Sequence, residues 1–299
     1  MKGRSLAAQQ ERLGWAFVTP TLVILALVGF YPLVQTFYVS LTDARLAGTR
    51  PEQFVGLANY ARLAGDATFR SSVMTTVVFT VTSVSLELLL GLTIALAVNS
   101  RFRGRGVMRA AMLIPWALPT VVSAKMWNYM LVDTYGVVND LLVTRLGVLE
   151  TKVAWLAQPG LALGCIVAVD VWKTTPFVAL MLLAGLQLIP STLYEAAAVD
   201  GATRMQQFWR ITLPMLRPVI LVTLIFRTLD ALRVFDVVWV MTRGQSGTET
   251  MATYNFRQLM DFQRLGYGSA VSVAIFGLIA LFVVAYLVVM RRWREADLS

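Results

Sequence analysis

Apolar residues in this 299-residue chain come in long runs rather than in alternation with polar ones. Six runs stand out, at roughly 14–41, 70–99, 107–130, 161–188, 217–241 and 268–290. About 30 Å of hydrocarbon is crossed by about 20 residues at about 1.5 Å each, so every run is long enough to span a bilayer. Backbone polar groups in lipid must be satisfied internally, and runs of this length predict helices rather than barrel strands. The pattern therefore predicts an all-α integral membrane protein with six transmembrane helices. Pro20, Pro32, Pro115, Pro119 and Pro176 fall inside the runs, where neighbouring helices can re-satisfy the freed backbone groups. Neither a linker nor a repeat divides the chain. The expected parts are a tail at 1–13, a first helix with its outer loop at 14–69, a core at 70–290 and a second tail at 291–299.

Charge fixes an orientation. Only 14% of the residues are charged and 57% are hydrophobic, against about 25% charged in an ordinary soluble domain. The net charge of +9 does not form a basic domain of the kind nucleic acid would need. It collects in short segments between apolar runs, the pattern of membrane topology. With the N-terminus inside, the inner segments carry thirteen Lys and Arg and the much longer outer ones nine. Arg101, Arg103, Arg105 and Arg109, with no acid among them, decide the matter, and both termini are expected in the cytoplasm. The first apolar run is longer than the 7–15 residues of a signal-peptide core and no convincing cleavage site follows it. It reads as a retained span of a multi-pass protein of the bacterial or archaeal inner membrane.

Several chemistries drop out. The chain has no histidine, which removes histidine acid–base chemistry and histidine metal sites. Its single cysteine, Cys165, lies in an apolar run and reads as a small buried apolar residue. The four lysines, Lys2, Lys125, Lys152 and Lys173, never follow glycine, so the Gly-Lys-Ser/Thr end of a phosphate-cradling loop is absent. No metal cluster and no nucleophile–base pair is recognisable. The chain reads as a transport subunit and not as an enzyme, with no cofactor of its own.

One inner segment is unusual. Residues 189–216 form the longest inner loop, helix-prone and amphipathic, and the helix-breaking Pro214 and Pro218 close it. Within it stand Glu195-Ala196-Ala197, then Gly201 after three residues, then Ile211-Thr212-Leu213-Pro214 after nine more. Three successive alanines from Ala196 make a slim helix that fits a cleft. Gly201 accepts backbone angles closed to other residues, and Glu195 and Asp200 offer carboxylates to a basic partner. An interfacial helix lying on the membrane is the competing reading, which Arg204, Trp209 and Arg210 would suit. The spacing resembles the coupling-loop signature of binding-protein-dependent ABC importer permeases, at its usual place before the penultimate span. The stretches Trp172–Phe177 and Phe226–Asp236 make the sugar-type members, those of maltose and trehalose importers, the most similar. A further stretch, Thr242–Gly247, resembles imperfectly a glycine-rich segment of that family.

The resemblance implies a type I ABC importer transmembrane domain. It implies partners as well: a second, homologous permease in a heterodimer, two ATPase subunits carrying ATP and Mg, and an extracytoplasmic substrate-binding protein. It also implies a sugar, a disaccharide such as trehalose or maltose, moved by alternating access. Glu195, Ala196, Ala197, Asp200 and Gly201 are the implied contacts to the ATPase.

Ionisable residues inside spans cost roughly 2.5–3.5 kcal/mol each and default to a functional reading. The fourth run holds Asp170 and Lys173; the fifth holds Arg227, Asp230, Arg233 and Asp236. Lys173 and Arg227 lie about 18 and 15 Å along their spans, near the midplane where transporter sites occur. Asp170, Lys173, Thr174 and Phe177 share the spacing i, i+3, i+4, i+7, as do Arg227, Asp230, Ala231 and Val234, so each set shares one helical face. Trp172 and Trp239 add aromatic surface beside that path. By resemblance, Lys173, Thr174, Phe177, Arg227, Asp230 and Ala231 contact the sugar. The maltose-type pattern is asparagine-rich where this chain carries the charged Arg227–Asp236 run, and the two differ there. A bland reading competes: Asp170/Lys173, Arg227/Asp230 and Arg233/Asp236 are spaced to neutralise one another, and Glu87 and Lys125 suit a structural ion pair or snorkelling. A proton-coupled transporter, with these charges as a relay, would call for inverted repeats, which are not visible.

Overall fold

The computed structural model describes residues 6–47, 51–100 and 103–296. Lys2, Arg4, Arg50 and Arg101 of the charge count and the end of the second tail lie outside them, as do the side chains of Arg292 and Arg294. The described chain is helical and forms two compact units. One comprises residues up to Asp66 with Asn255–Leu278; the other comprises Ala67–Tyr254 with the segment from Ile279 on.

The first unit holds helix α1, which runs from Leu6 to Ser40, and α2 (Ala58–Gly65). Helix α1 passes through a π-helical stretch, Leu25–Phe30, just before Pro32. The wider turn relieves the clash between the proline ring and the carbonyl four residues back. Beyond α1 an isolated antiparallel bridge joins Thr42 to Phe54, and Asn59 donates to the carbonyls of Ser40 (2.9 Å) and Thr42 (2.8 Å). Arg62 lies 4.7 Å from the ring centre of Tyr267, whose hydroxyl donates to Asp66 at 3.1 Å.

The second unit is built on α3 (Ala67–Asn99), α7 (Leu161–Gln187) and α9 (Arg204–Ala231), each long and apolar enough to span. Helices α3 and α7 form the most extensively packed pair. Their approach depends on Gly91, where an added Cβ would sit 2.7 Å from Val178 Cγ1 and 3.2 Å from the Ala179 nitrogen. Gly185 serves α7 and α9 in the same way, against Leu216 and Val219 at 2.8 Å. Small residues at such crossings are how membrane helices gain packing without a hydrophobic driving force between them. Two apolar layers result. One gathers Phe79, Val84, Ile166, Val171, Ala231 and Val238; the other gathers Ala95, Val98, Val178, Leu182 and Leu216. Cys165 is half-buried and packs against the first layer.

Helix α12 (Leu265–Ala296) holds the final span, so the second, fourth and sixth runs fold as expected. The third and fifth do not. The third run is two helices, α4 (Arg105–Ala117) and α5 (Thr120–Leu131), bent by 89°. Leu118 before Pro119 is extended (φ −73°, ψ 139°), because a proline disfavours helical angles in the residue before it. In the fifth run, α9 stops at Ala231, and residues 236–241 form a separate short helix, α10 (Asp236–Met241). The expected stop at Pro214 and Pro218 is also absent. Helix α9 begins at Arg204 and runs through both, with a π-helical stretch Phe208–Thr212 just ahead of Pro214. The 131–160 and 242–264 connections contain α6 (Val137–Asn139, continued by a π turn to Arg145) and α11 (Met251–Phe256, continued to Asp261).

Candidate functional site

A single guanidinium sits between the two apolar layers. Arg227 of α9 is 3% exposed and meets carboxylates from three helices. Its Nε and Nη2 donate to the two oxygens of Glu87 on α3, the Nη2–Oε1 contact being 2.8 Å. Nη2 also donates to Asp170 on α7, and Nη1 donates to Asp230 of its own helix at 2.8 Å. The Thr174 hydroxyl lies 2.7 Å from Glu87 Oε1 and 2.6 Å from the Asp170 carbonyl, and can donate to either. The planar fork of arginine suits such many-partnered burial, and truncating one member would leave the others buried and unpaired. Glu87 is fully buried, whereas the Asp230 side chain is 71% exposed, towards the cavity that it lines.

That cavity holds about 210 Å³. Six of the eight residues nominated for the substrate path line it: Asp170, Lys173, Thr174, Arg227, Asp230 and Ala231. Phe177 and Trp172 do not. Phe177 stacks on Trp116 (centroids 6.2 Å, 20°), and Trp172 meets Trp127 edge-on (5.5 Å). Trp239 stacks on Phe235 (5.7 Å, 15°), and it is Phe235 that reaches the cavity.

The rest of the cavity lining comes from the two breaks and the start of α10. Trp116 and Thr120 flank the bend between α4 and α5, Arg233, Val234 and Phe235 occupy the gap between α9 and α10, and Asp236 opens α10. The sequence singles out Arg233 and Asp236 by charge and Val234 by spacing, but misses Trp116, Thr120 and Phe235. Irregular backbone within an apolar run is tolerated where it lines a polar cavity, and both breaks do so. Two signals in the sequence pointed there: the Leu118–Pro119 pair, and Asp236, an acid at a helix start, where it complements the helix dipole.

Of the three spaced charge pairs, only Arg227/Asp230 forms. Asp170 pairs with Arg227 in place of Lys173, and among the described residues Arg233 and Asp236 form no ion pair. Lys125 is exposed.

The 189–216 segment is a different kind of surface. Its helix α8 (Ser191–Val199) has no buried residue. Glu195, Ala196, Asp200 and Gly201 are exposed and Ala197 is half-buried. Gly201 turns the chain at φ +78°, with open space where a Cβ would stand. Thr203 then caps α9, its hydroxyl accepting from the Gln206 backbone while the Gln206 side chain accepts from the Thr203 backbone. Tyr194 ties α8 to the rest of the chain, through a 2.9 Å contact between its hydroxyl and that of Thr212 and through packing on the second apolar layer. Apolar side chains stay open on this surface: Val199 is 88% exposed and Leu188 79%.

Residues 87–295 match the family model described as the inner membrane component of binding-protein-dependent transport systems. The chain belongs to that family. The permease is 45% identical to a trehalose/maltose transport system permease protein of Thermococcus litoralis, over 97% of each chain. It is 40% identical to a sulfoquinovosyl glycerol transport system permease protein of Agrobacterium fabrum, over 92% of this chain and 89% of that one. A trehalose transport system permease protein of Mycobacterium tuberculosis is 37% identical over 91% and 86%. Among solved structures, a bacterial ABC transporter that imports the polysaccharide alginate shares the fold, with TM-score 0.83 at 23% identity over 95% of this chain and 96% of that chain. That transporter is also known in complex with an alginate-bound periplasmic protein. The permease is thus a multi-pass transport component with the transmembrane fold of ABC importers, and not an enzyme.

Proposed function

We propose that this permease is one transmembrane subunit of an ATP-driven importer for a small sugar, a disaccharide such as trehalose or maltose. The observation that carries the reading is the near end-to-end similarity to a trehalose/maltose permease, together with a polar, aromatic-edged cavity between two apolar layers. Sugar hydroxyls need donors and acceptors in pairs, and ring C–H faces pack on aromatics. Asp170, Lys173, Thr174, Asp230 and Asp236 supply the first, Trp116 and Phe235 the second. Phe177 supports the wall from behind through Trp116, while Trp172 packs on Trp127 beside the first apolar layer.

In this reading the exposed helix α8, with Glu195, Ala196, Ala197, Asp200 and Gly201, docks into a cleft on a separate ATPase that carries the ATP and Mg. Both termini and the 189–216 segment lie in the cytoplasm, and the chain resides in the inner membrane. A second, unlike permease completes the pathway, two ATPase subunits drive it, and an extracytoplasmic binding protein delivers the sugar. Closure of the ATPase pair moves the docked helices, and the cavity alternates between inward and outward access. No bond in the sugar changes.

The test is uptake of labelled trehalose and maltose by proteoliposomes holding the assembled transporter. ATP in the compartment on the cytoplasmic face and loaded binding protein on the opposite one should both be required. Uptake that follows a proton gradient without ATP would replace this reading with a proton-coupled one.

A further inference from the structure

Asp170 and Lys173 stand one helical turn apart on α7, the spacing at which a carboxylate and an ammonium pair. They do not pair. Arg227 takes Asp170, and among the described residues Lys173 has neither hydrogen bond nor ion pair although it is 9% exposed and lines the cavity. A largely buried cation left open beside a carboxylate on its own helix needs a cause. Glu87 supplies that cause. Fully buried and absent from the cavity wall, it grips both Nε and Nη2 of Arg227 and so aims the rest of the fork at Asp170 and Asp230. These contacts engage all three nitrogens of the fork, and Arg227 is itself 3% exposed. It has little left to offer a ligand.

We propose that Glu87 and Arg227 are positioning residues that hold Asp170 away from Lys173, and that the freed Lys173 ammonium is the cation that reads the substrate. This rests on the sugar-import reading for what the ligand is, but not for how the charges are divided. It removes Arg227 from the residues expected to touch sugar and adds Glu87, which no cavity survey would select. A flexible lysine is a point charge that one carboxylate satisfies, whereas the guanidinium fork serves several at once. Without the fork, Asp170 falls to Lys173 and the cavity loses its open donor.

The prediction separates a strut from a ligand. Arg227→Met should close Lys173 onto Asp170. The triple variant Glu87→Gln, Asp170→Asn, Arg227→Met removes the whole buried set and leaves Lys173 open, a neutral replacement of the kind buried ion clusters often tolerate. Reductive methylation of the detergent-purified permease with formaldehyde, followed by mass spectrometry, reads Lys173 directly. The exposed Lys125 is the internal standard. Reactivity of Lys173 should fall about tenfold in Arg227→Met, as expected for one charge-assisted contact of about 1.4 kcal/mol, and return in the triple variant. Arg227→Lys, which keeps a charge but lacks the fork, should also lower it should the methionine variant fail to fold. In proteoliposomes the sugar KM should rise about tenfold for Arg227→Met and for Lys173→Met. Unchanged Lys173 reactivity on loss of the fork, or low reactivity persisting in the triple variant, would overturn the proposal. A wild-type transporter that moves no sugar would instead sink the import reading, while the methylation result would still decide the division of charges.

Discussion

Helix α8 with its Gly201 turn and the Arg227 node are both marked in the sequence by residues that look out of place, yet the chain treats them in opposite ways. At the node the central pair serves the chain itself: Arg227 joins α3, α7 and α9, and Glu87 has no exposure at all. On α8 almost nothing serves the chain. No residue is buried, Val199 stands open, and Tyr194 tethers the helix by its hydroxyl contact and its packing on the second apolar layer. Exposed apolar surface beside carboxylates is a cost that a partner would recover. Buried paired charge is a cost the fold has already met. Residues of the node should matter to stability, and residues of α8 and its turn to function without stability.

The contrast can be broken by substitution, read as stability of the purified permease. Arg227→Met should cost most, about 3–5 kcal/mol, because it leaves Glu87 buried without its cation. Thermal unfolding in detergent measures it; a loss under about 1 kcal/mol would mean that the node is not a strut. Gly91→Ala comes next, at about 1–3 kcal/mol, since its Cβ meets a backbone nitrogen that cannot yield. The same melt, with Gly277→Ala as an unobstructed control, should show the difference. Thr174→Val removes one interhelical hydrogen bond to Glu87 and should cost about 1 kcal/mol, the upper range of such bonds in membranes. Gly201→Asp should cost least, about 1 kcal/mol or below for an L residue in a left-handed turn with open space around it. It should nonetheless abolish sugar uptake. A Gly201→Asp variant that transports normally would remove α8 from the coupling role.

Much of the fold could be read from apolar run length. The runs at 70–99 and 161–188 lie within three residues of helices Ala67–Asn99 and Leu161–Gln187. Run length counts residues suited to lipid and is blind to where the backbone turns, so the bend at Leu118–Pro119 and the break after Ala231 were merged into straight spans. Rise along the spans placed Lys173 and Arg227 near one depth, and periodicity put Asp170 on the same face as Lys173. It cannot say which carboxylate a guanidinium will choose across helices, because the choice depends on packing through Gly91 and Gly185. Phe177 and Trp172 were nominated by the same stretch as Lys173, but turn to neighbouring aromatics. The loop around Gly201 was legible because spacing alone defines it, though the start of α9 at Arg204 was hidden behind two prolines that a π-helical stretch absorbs.

The most direct measurement is ATP hydrolysis by the assembled transporter, with empty and sugar-loaded binding protein, for wild type and for Gly201→Asp. A coupled sugar importer predicts that loaded binding protein stimulates hydrolysis in the wild type and not in the variant, with both complexes inserted equally. Hydrolysis indifferent to sugar and binding protein in the wild type, or no association with an ATPase at all, would contradict it.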